Sequence, residues 1–230
     1  MVRHQSFPDI LKAVARGRFT YLLGFMLILL LIFPFLEEST YGPPAMQLVY
    51  SFLLVSALYA VAGDRWLFRT GILLLAVGLV SHWWMMLALG PVSAVAGVLS
   101  GTLFFGFIAV ALLVHVFGHE EVTGDTIAGA VCVFLLIGII WNLAYQVIYF
   151  FDHSAFNNIA ARSFSAEATV DLVYYSFSTL TTLGYGDITP VSGPARMFAV
   201  TEAIVGQIYL TVLVARLVGL YAPLRARQRS

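Results

Sequence analysis

The sequence predicts an all-α membrane protein: six transmembrane helices, with a shorter helix entering the membrane between the fifth and the sixth. Three observations carry this. The 230 residues are 60% hydrophobic and 10% charged, against about 45–50% and about 25% in soluble domains. Six apolar stretches approach or exceed the roughly 18–20 residues that cross a bilayer, and Gly, Pro and charged residues separate them. A seventh, Ala168 to Thr181, is apolar but about half the spanning length, and it runs into Gly184-Tyr185-Gly186-Asp187.

Composition also excludes functions. The net charge is zero, so no long-range attraction to nucleic acid is expected. Cys132 is the single cysteine; an intramolecular disulfide is impossible and the compartment stays open. No nucleophile triad, metal cluster or phosphate loop stands in the sequence, so no catalytic residue, enzyme activity or cofactor is expected.

In chain order, residues 1–18 suit an amphipathic helix on the membrane surface. Ser6 suits its N-cap, Pro8 its first turn, and Phe7, Ile10, Leu11 and Val14 one apolar face. A basic tail fits these residues equally well. The first span runs over Phe19–Leu36 and is too long, without a small-residue cleavage site, for a signal peptide. The Gly42-Pro43-Pro44 turn follows, then a second span over Ala45–Ala62, a polar turn at Gly63-Asp64-Arg65, and a third span over Trp66–Leu89. Gly90-Pro91 reverses the chain into the fourth span, Val92–Phe117, whose Gly97, Gly101 and Gly106 favour close helix contact. Residues 19–117 thus form a four-helix domain, and residues 118–126 a linker. The fifth span covers Ile127–Phe150, the half-length helix Ala168–Thr181, and the sixth span Ala195–Tyr221. Residues 222–230 are a short basic tail.

With the N-terminus in the cytoplasm, Arg3, Lys12, Arg16, Arg18, Arg65, Arg69, Arg216, Arg225, Arg227 and Arg229 all fall inside; Arg162 and Arg196 fall outside. That is the positive-inside pattern. The expected protein is multi-pass, with both termini cytoplasmic.

The stretch after the half-length helix reads Thr181-Thr182-Leu183-Gly184-Tyr185-Gly186-Asp187. Glycine at alternate positions lets a backbone adopt φ > 0 at little steric cost. Consecutive carbonyls can then point one way. Those of Thr182, Leu183, Gly184 and Tyr185, with the Thr182 hydroxyl, could replace a cation's hydration shell. The half-length helix would aim the negative end of its dipole at the same place.

These residues resemble the selectivity filter of prokaryotic potassium channels, with Leu183 where valine is usual. The resemblance covers residues 127–221, the two-helix pore module of that family. It implies a potassium-selective channel whose filter is Thr182, Leu183, Gly184, Tyr185 and Gly186, with K⁺ held by the carbonyls of Thr182, Leu183, Gly184 and Tyr185 and the Thr182 hydroxyl, in a bacterial plasma (inner) membrane. It places Tyr174 and Tyr175 as a cuff bracing Tyr185, Asp187 as a lock on the outer mouth, and Thr181 and Ser178 as filter support. Some relatives carry a buried carboxylate at the Ser178 position, so one brace is missing. Gly206 falls at the family's hinge glycine; close helix packing is the other role open to it. Gln207, Leu210, Val214 and Val218 share one face, which would line the cavity and, at its apolar lower end, a gate. Glu202 lies inside the sixth span, where a carboxylate is costly. Filter brace, pH sensor and neutral structural acid are its three open roles.

One filter strand cannot enclose an ion and the chain has one; with the family resemblance, this implies a four-fold symmetric homotetramer. The fourth span has no Lys or Arg from Ala94 to Phe117, so voltage gating through it is not expected; each moving charge supplies only about 2.3 kcal/mol per 100 mV. His82 and His115 are ionisable groups inside the third and fourth spans, read as core residues before proton sensors. The gating stimulus stays open among pH, lipid, ligand and an unidentified partner, with membrane lipids facing Arg216 and the tail. A potassium-transporter subunit and a weakly selective cation channel are the alternatives.

Overall fold

The computed structural model describes residues 17–37, 42–87, 90–118, 123–159 and 166–227. The expected N-terminal amphipathic helix, Arg162 and residues 119–122 of the linker lie outside the described residues. The described residues form seven helices and one short ribbon. The helices are α1 (Arg18–Glu37), α2 (Gly42–Ala60), α3 (Arg65–Leu87), α4 (Pro91–Gly118), α5 (Gly124–Phe151), α6 (Ala166–Leu180) and α7 (Gly193–Arg227). The ribbon pairs β1 (Phe156–Asn157) with β2 (Thr189–Pro190), antiparallel.

Local chemistry sets several boundaries. Pro43 and Pro44 fall inside the first turn of α2 rather than in a preceding turn, because the first turn needs no amide donor. The Asp64 carboxylate accepts the amides of Trp66 and Leu67 at 2.8 and 3.1 Å and starts α3. The expected linker to residue 126 is shorter: Thr123 caps α5 by accepting from the Thr126 amide, so the helix begins at Gly124. Residues 222–227, expected as tail, continue α7.

Among the described residues, four helices are long and apolar enough to cross a membrane, over Arg65–Trp84, Val92–Gly118, Gly124–Phe151 and Gly193–Gly219. The apolar parts of α1 and α2 are shorter, Arg18–Phe33 and Gln47–Ala60. Helix α6 has 15 residues, about 22 Å at 1.5 Å per residue, too short for a hydrocarbon core of about 30 Å.

Helix α5 is the hub. Helices α1, α4, α6 and α7 all pack on it, while α2 lies on α1 and α4, and α3 on α2 and α4. The main core includes Leu54, Phe104, Phe105, Ile108, Leu112 and Leu136, all fully buried. A second cluster joins Tyr145, Tyr149, Phe156, Leu172, Tyr175, Ile188 and Ala195 around the ribbon. His82 stacks on Tyr50 with centroids 4.0 Å apart, and His115 meets the edge of Phe19 at 5.0 Å.

The first helix is tied to α5 by a cap from a distant part of the chain. Asp125 Oδ1 accepts the amides of Phe19 and Thr20 at 3.1 and 2.9 Å and the Thr20 hydroxyl at 3.0 Å. Nearby, the Tyr209 hydroxyl of α7 donates to the Ala130 carbonyl of α5 at 2.6 Å. Replacing Asp125 with Ala removes the α1 cap and is expected to cost about 1 kcal/mol. A thermal melt in detergent should then show a lower midpoint, with Asp125→Asn losing less; an unchanged midpoint for Asp125→Ala would show the cap contributes nothing.

Candidate functional site

Helix α6 ends at Leu180, and its last turn hands the chain into the glycine-containing loop. The Thr181 hydroxyl donates to the Phe177 carbonyl at 2.7 Å. The Thr182 amide donates to the Thr179 carbonyl at 2.9 Å. The amides of Leu183 and Gly184 both donate to the Ser178 carbonyl, at 2.9 and 3.2 Å. Backbone φ is 59° at Thr182, 55° at Gly184 and 79° at Gly186, while Leu183 and Tyr185 stay on the negative side. A chain that alternates hand in this way gathers its N–H groups on one side. Its carbonyls therefore gather on the other. Among the described residues no donor reaches the carbonyls of Thr182, Leu183, Gly184 or Tyr185. A row of aligned, unpartnered carbonyls is what a dehydrated cation requires.

Thr182 has a side chain, and its left-handed conformation costs about 1–2 kcal/mol. The Gln207 amide of α7 donates to its hydroxyl, at 3.4 Å. Leu183 and Tyr185 are 55% and 69% exposed, so the described residues of the chain leave their side chains largely uncovered.

The outer end is held from three sides. The Tyr174 hydroxyl donates to Asp187 Oδ2 at 2.7 Å, and the Asn158 side-chain amide donates to the Asp187 carbonyl at 2.8 Å. The ribbon pairs Phe156 with Pro190 and Asn157 with Thr189. The Ala155 carbonyl adds the amides of Val191 and Ser192 at 2.7 and 3.3 Å. Tyr174 thus meets Asp187 by hydrogen bond. Tyr175 is buried against Tyr145 and Phe156, with centroids 5.1 and 5.2 Å away. Donation from Tyr174 holds the Asp187 carboxyl below its ordinary value of 3.8.

Helix α7 meets the rest of the chain through one stripe: Ala195, Glu202, Tyr209 and Leu213 are buried, with Gly206 among them. A Cβ on Gly206 would lie 2.5 Å from the Leu180 carbonyl oxygen, so this glycine permits close approach of α7 to the end of α6. The helix runs through Gly206 without a break. Glu202 is fully buried. It accepts the Tyr145 hydroxyl at 2.6 Å, and its other oxygen lies 2.5 Å from Ser176 Oγ. Ser176 Oγ also lies 2.8 Å from the Gly138 carbonyl. Leu210, Val214 and Val218 are 37%, 57% and 63% exposed, and Gln207 is exposed beside them.

Residues 136–222, which hold this site, match the ion channel family. The chain is also 30% identical over 126 residues to Protein LctB of Bacillus caldotenax, across 50% of this chain and 92% of that protein. This chain belongs to the ion channel family. It is likewise 38% identical over 58 residues to the voltage-gated potassium channel Kch of Escherichia coli strain K12. That match takes in 25% of this chain and only 13% of the length of Kch. The kinship with prokaryotic potassium channels drawn from the sequence therefore stands, and a channel rather than an enzyme is indicated. No solved structure matches at a comparable level.

In this ion channel chain, several site residues carry no signal in the sequence. Ser178 was singled out for its side chain, yet its carbonyl is what anchors the loop. Ser176, Tyr145 and Asn158 were not singled out. Asn158 has φ of 61°, a conformation that asparagine tolerates better than most residues; an Asn-Asn pair before the half-length helix was the available hint.

Two outcomes follow from the geometry. Gly206→Ala pushes α7 off the Leu180 carbonyl and should disturb the loop; ion flux through reconstituted protein is expected to fall severalfold, and unchanged flux would show that the contact yields freely. Because the Asp187 pKa is depressed, the Tyr174 contact favours the ionised form. Its contribution is complete above pH 3.8 and is lost as pH falls through the lower, folded-state value. Tyr174→Phe should move that acid limit upward, readable from activity or from a carboxylate NMR titration.

Proposed function

We propose that this protein is a potassium-selective channel that conducts passively through a pore built by four copies of the chain. The observation that carries the proposal is the alternating backbone from Thr182 to Gly186, with the Leu183 and Gly184 amides anchored on Ser178 and, among the described residues, no donor on the carbonyls of Thr182 to Tyr185. K⁺, as cargo, would shed water onto the carbonyls of Thr182 to Tyr185 and the Thr182 hydroxyl. A cation enclosed by such strands needs them on every side, and one chain provides one strand.

On this reading α1–α5 and α7 are the six spans and α6 is re-entrant, with both termini cytoplasmic and the outer mouth facing out. The exposed Leu183 and Tyr185 would meet neighbouring subunits, with Tyr174 and Tyr175 in the surrounding cuff. Leu210, Val214 and Val218, apolar and exposed, would line the lower cavity and close it by dewetting. Helix α4 carries no Lys or Arg, which supports a channel without voltage gating through that helix. Gly206 would serve close packing in the conformation seen here, and bending about it would open the pore.

The test is flux from purified protein in liposomes, with oligomer mass measured in parallel. Four-subunit assemblies should release K⁺ while retaining Na⁺, and Gly184→Ala should abolish the preference. Equal permeability to both ions would favour a weakly selective cation channel. Monomers without passive flux would favour a transporter subunit.

A further inference from the structure

We propose that Glu202 carries a bound proton, and that the neutral acid is a positioning residue holding the re-entrant helix at working depth beneath the filter. Three oxygens, Ser176 Oγ, Gly138 O and Glu202 Oε1, must share the available hydrogens. Ser176 Oγ lies 2.8 Å from the Gly138 carbonyl and 2.5 Å from Glu202 Oε1. A hydroxyl has one proton to give, and a carbonyl can only accept. If Ser176 gives its proton to an ionised Glu202, the Gly138 carbonyl faces a bare oxygen. If it gives its proton to Gly138, an ionised Glu202 faces lone pairs at 2.5 Å. With the proton on Glu202 each contact holds one hydrogen. Tyr145 donates to Oε2, Glu202 donates from Oε1 to Ser176, and Ser176 donates to Gly138.

Burial points the same way. Glu202, Ser176 and Tyr145 are each fully buried. The titratable groups facing Glu202 are Tyr145 from α5 and Tyr175 from α6; among the described residues no cation pairs with it from either helix or from its own. An unpaired carboxylate in an apolar interior is far costlier than its neutral acid. The chain of three hydrogen bonds spans three helices, α5 through Tyr145 and Gly138, α6 through Ser176, and α7 through Glu202. It grips α6 two residues before Ser178, whose carbonyl anchors the filter amides. Gly206 against Leu180 and Gln207 against Thr182 continue the same seam downward. The neutral acid therefore fixes the depth at which the loop begins.

This deepens the channel proposal and rests on it for the flux arm alone. Infrared difference spectra between wild-type protein and Glu202→Gln at neutral pH should show a protonated-carboxyl stretch present only in the wild type. Ser176→Ala, which removes the acceptor, should shift that band. In liposomes Glu202→Gln keeps both a donor and an acceptor, so its K⁺ flux should stay within about twofold of wild type. Glu202→Ala should lose roughly tenfold or more. A Glu202 signal in the ionised-carboxylate region overturns the proposal, whether or not the protein conducts. So does Glu202→Gln assembling normally yet losing as much flux as Glu202→Ala, or neither variant losing any. Should no Glu202 variant assemble, the band shift in Ser176→Ala decides: a shift supports the proposal and an unmoved band contradicts it.

Discussion

The amides of Leu183 and Gly184 end on one acceptor, the carbonyl of Ser178. Much of the structure serves that contact. Amides directed at α6 leave the opposite edge of the loop to oxygens, and the left-handed Thr182, Gly184 and Gly186 keep those oxygens on one side. Holding them there works against mutual repulsion of like dipoles, and one left-handed residue is not glycine. The opposing restraints are local and specific: Gln207 at the inner end, Tyr174 and Asn158 at the outer end, and the β1–β2 ribbon around it.

Helix α6, with 15 residues, is too short to cross a bilayer. It is held laterally. Gly138 lets the Phe177 ring approach α5, where a Cβ would lie 2.8 Å away, and Gly206 does the same for α7 at Leu180. Between these contacts the polar chain of Tyr145, Glu202, Ser176 and Gly138 closes a small apolar interface. In a membrane the hydrophobic effect does not distinguish protein from lipid as it does in water, so close contact and buried hydrogen bonds carry the association. The helices before the module attach to the same hub. Asp125, in the first turn of α5, also caps α1, and α4 packs along α5. The first four helices meet the loop-bearing part of the chain through α5, and α1 also touches α6.

Much of this was legible in the residues. The six apolar stretches, the half-length helix and the loop after it follow from lengths and glycines, and the helices lie within a few residues of their expected places. The boundaries that moved did so through side-chain chemistry at the ends: prolines entering the first turn of α2, and Thr123 capping α5 early. In the site, the glycine spacing anticipated the alternating backbone. The partners of Glu202 were not legible, because Tyr145 and Ser176 are separated from it by 57 and 26 residues and neither is unusual in an apolar helix. Nor was the role of Asn158, 29 residues from Asp187. Pairings across helices depend on rotation and depth, which periodicity in one segment does not encode.

Whether the carbonyls of Thr182 to Tyr185 bind cations is decided most directly by diffraction from crystals of the assembled protein grown in K⁺ and soaked in Rb⁺ or Tl⁺, read by anomalous scattering. The account predicts a column of peaks on a four-fold axis, each ringed by those main-chain oxygens and the lowest also by the Thr182 hydroxyl. An axis without peaks, or peaks bound only by side-chain carboxylates, would contradict it.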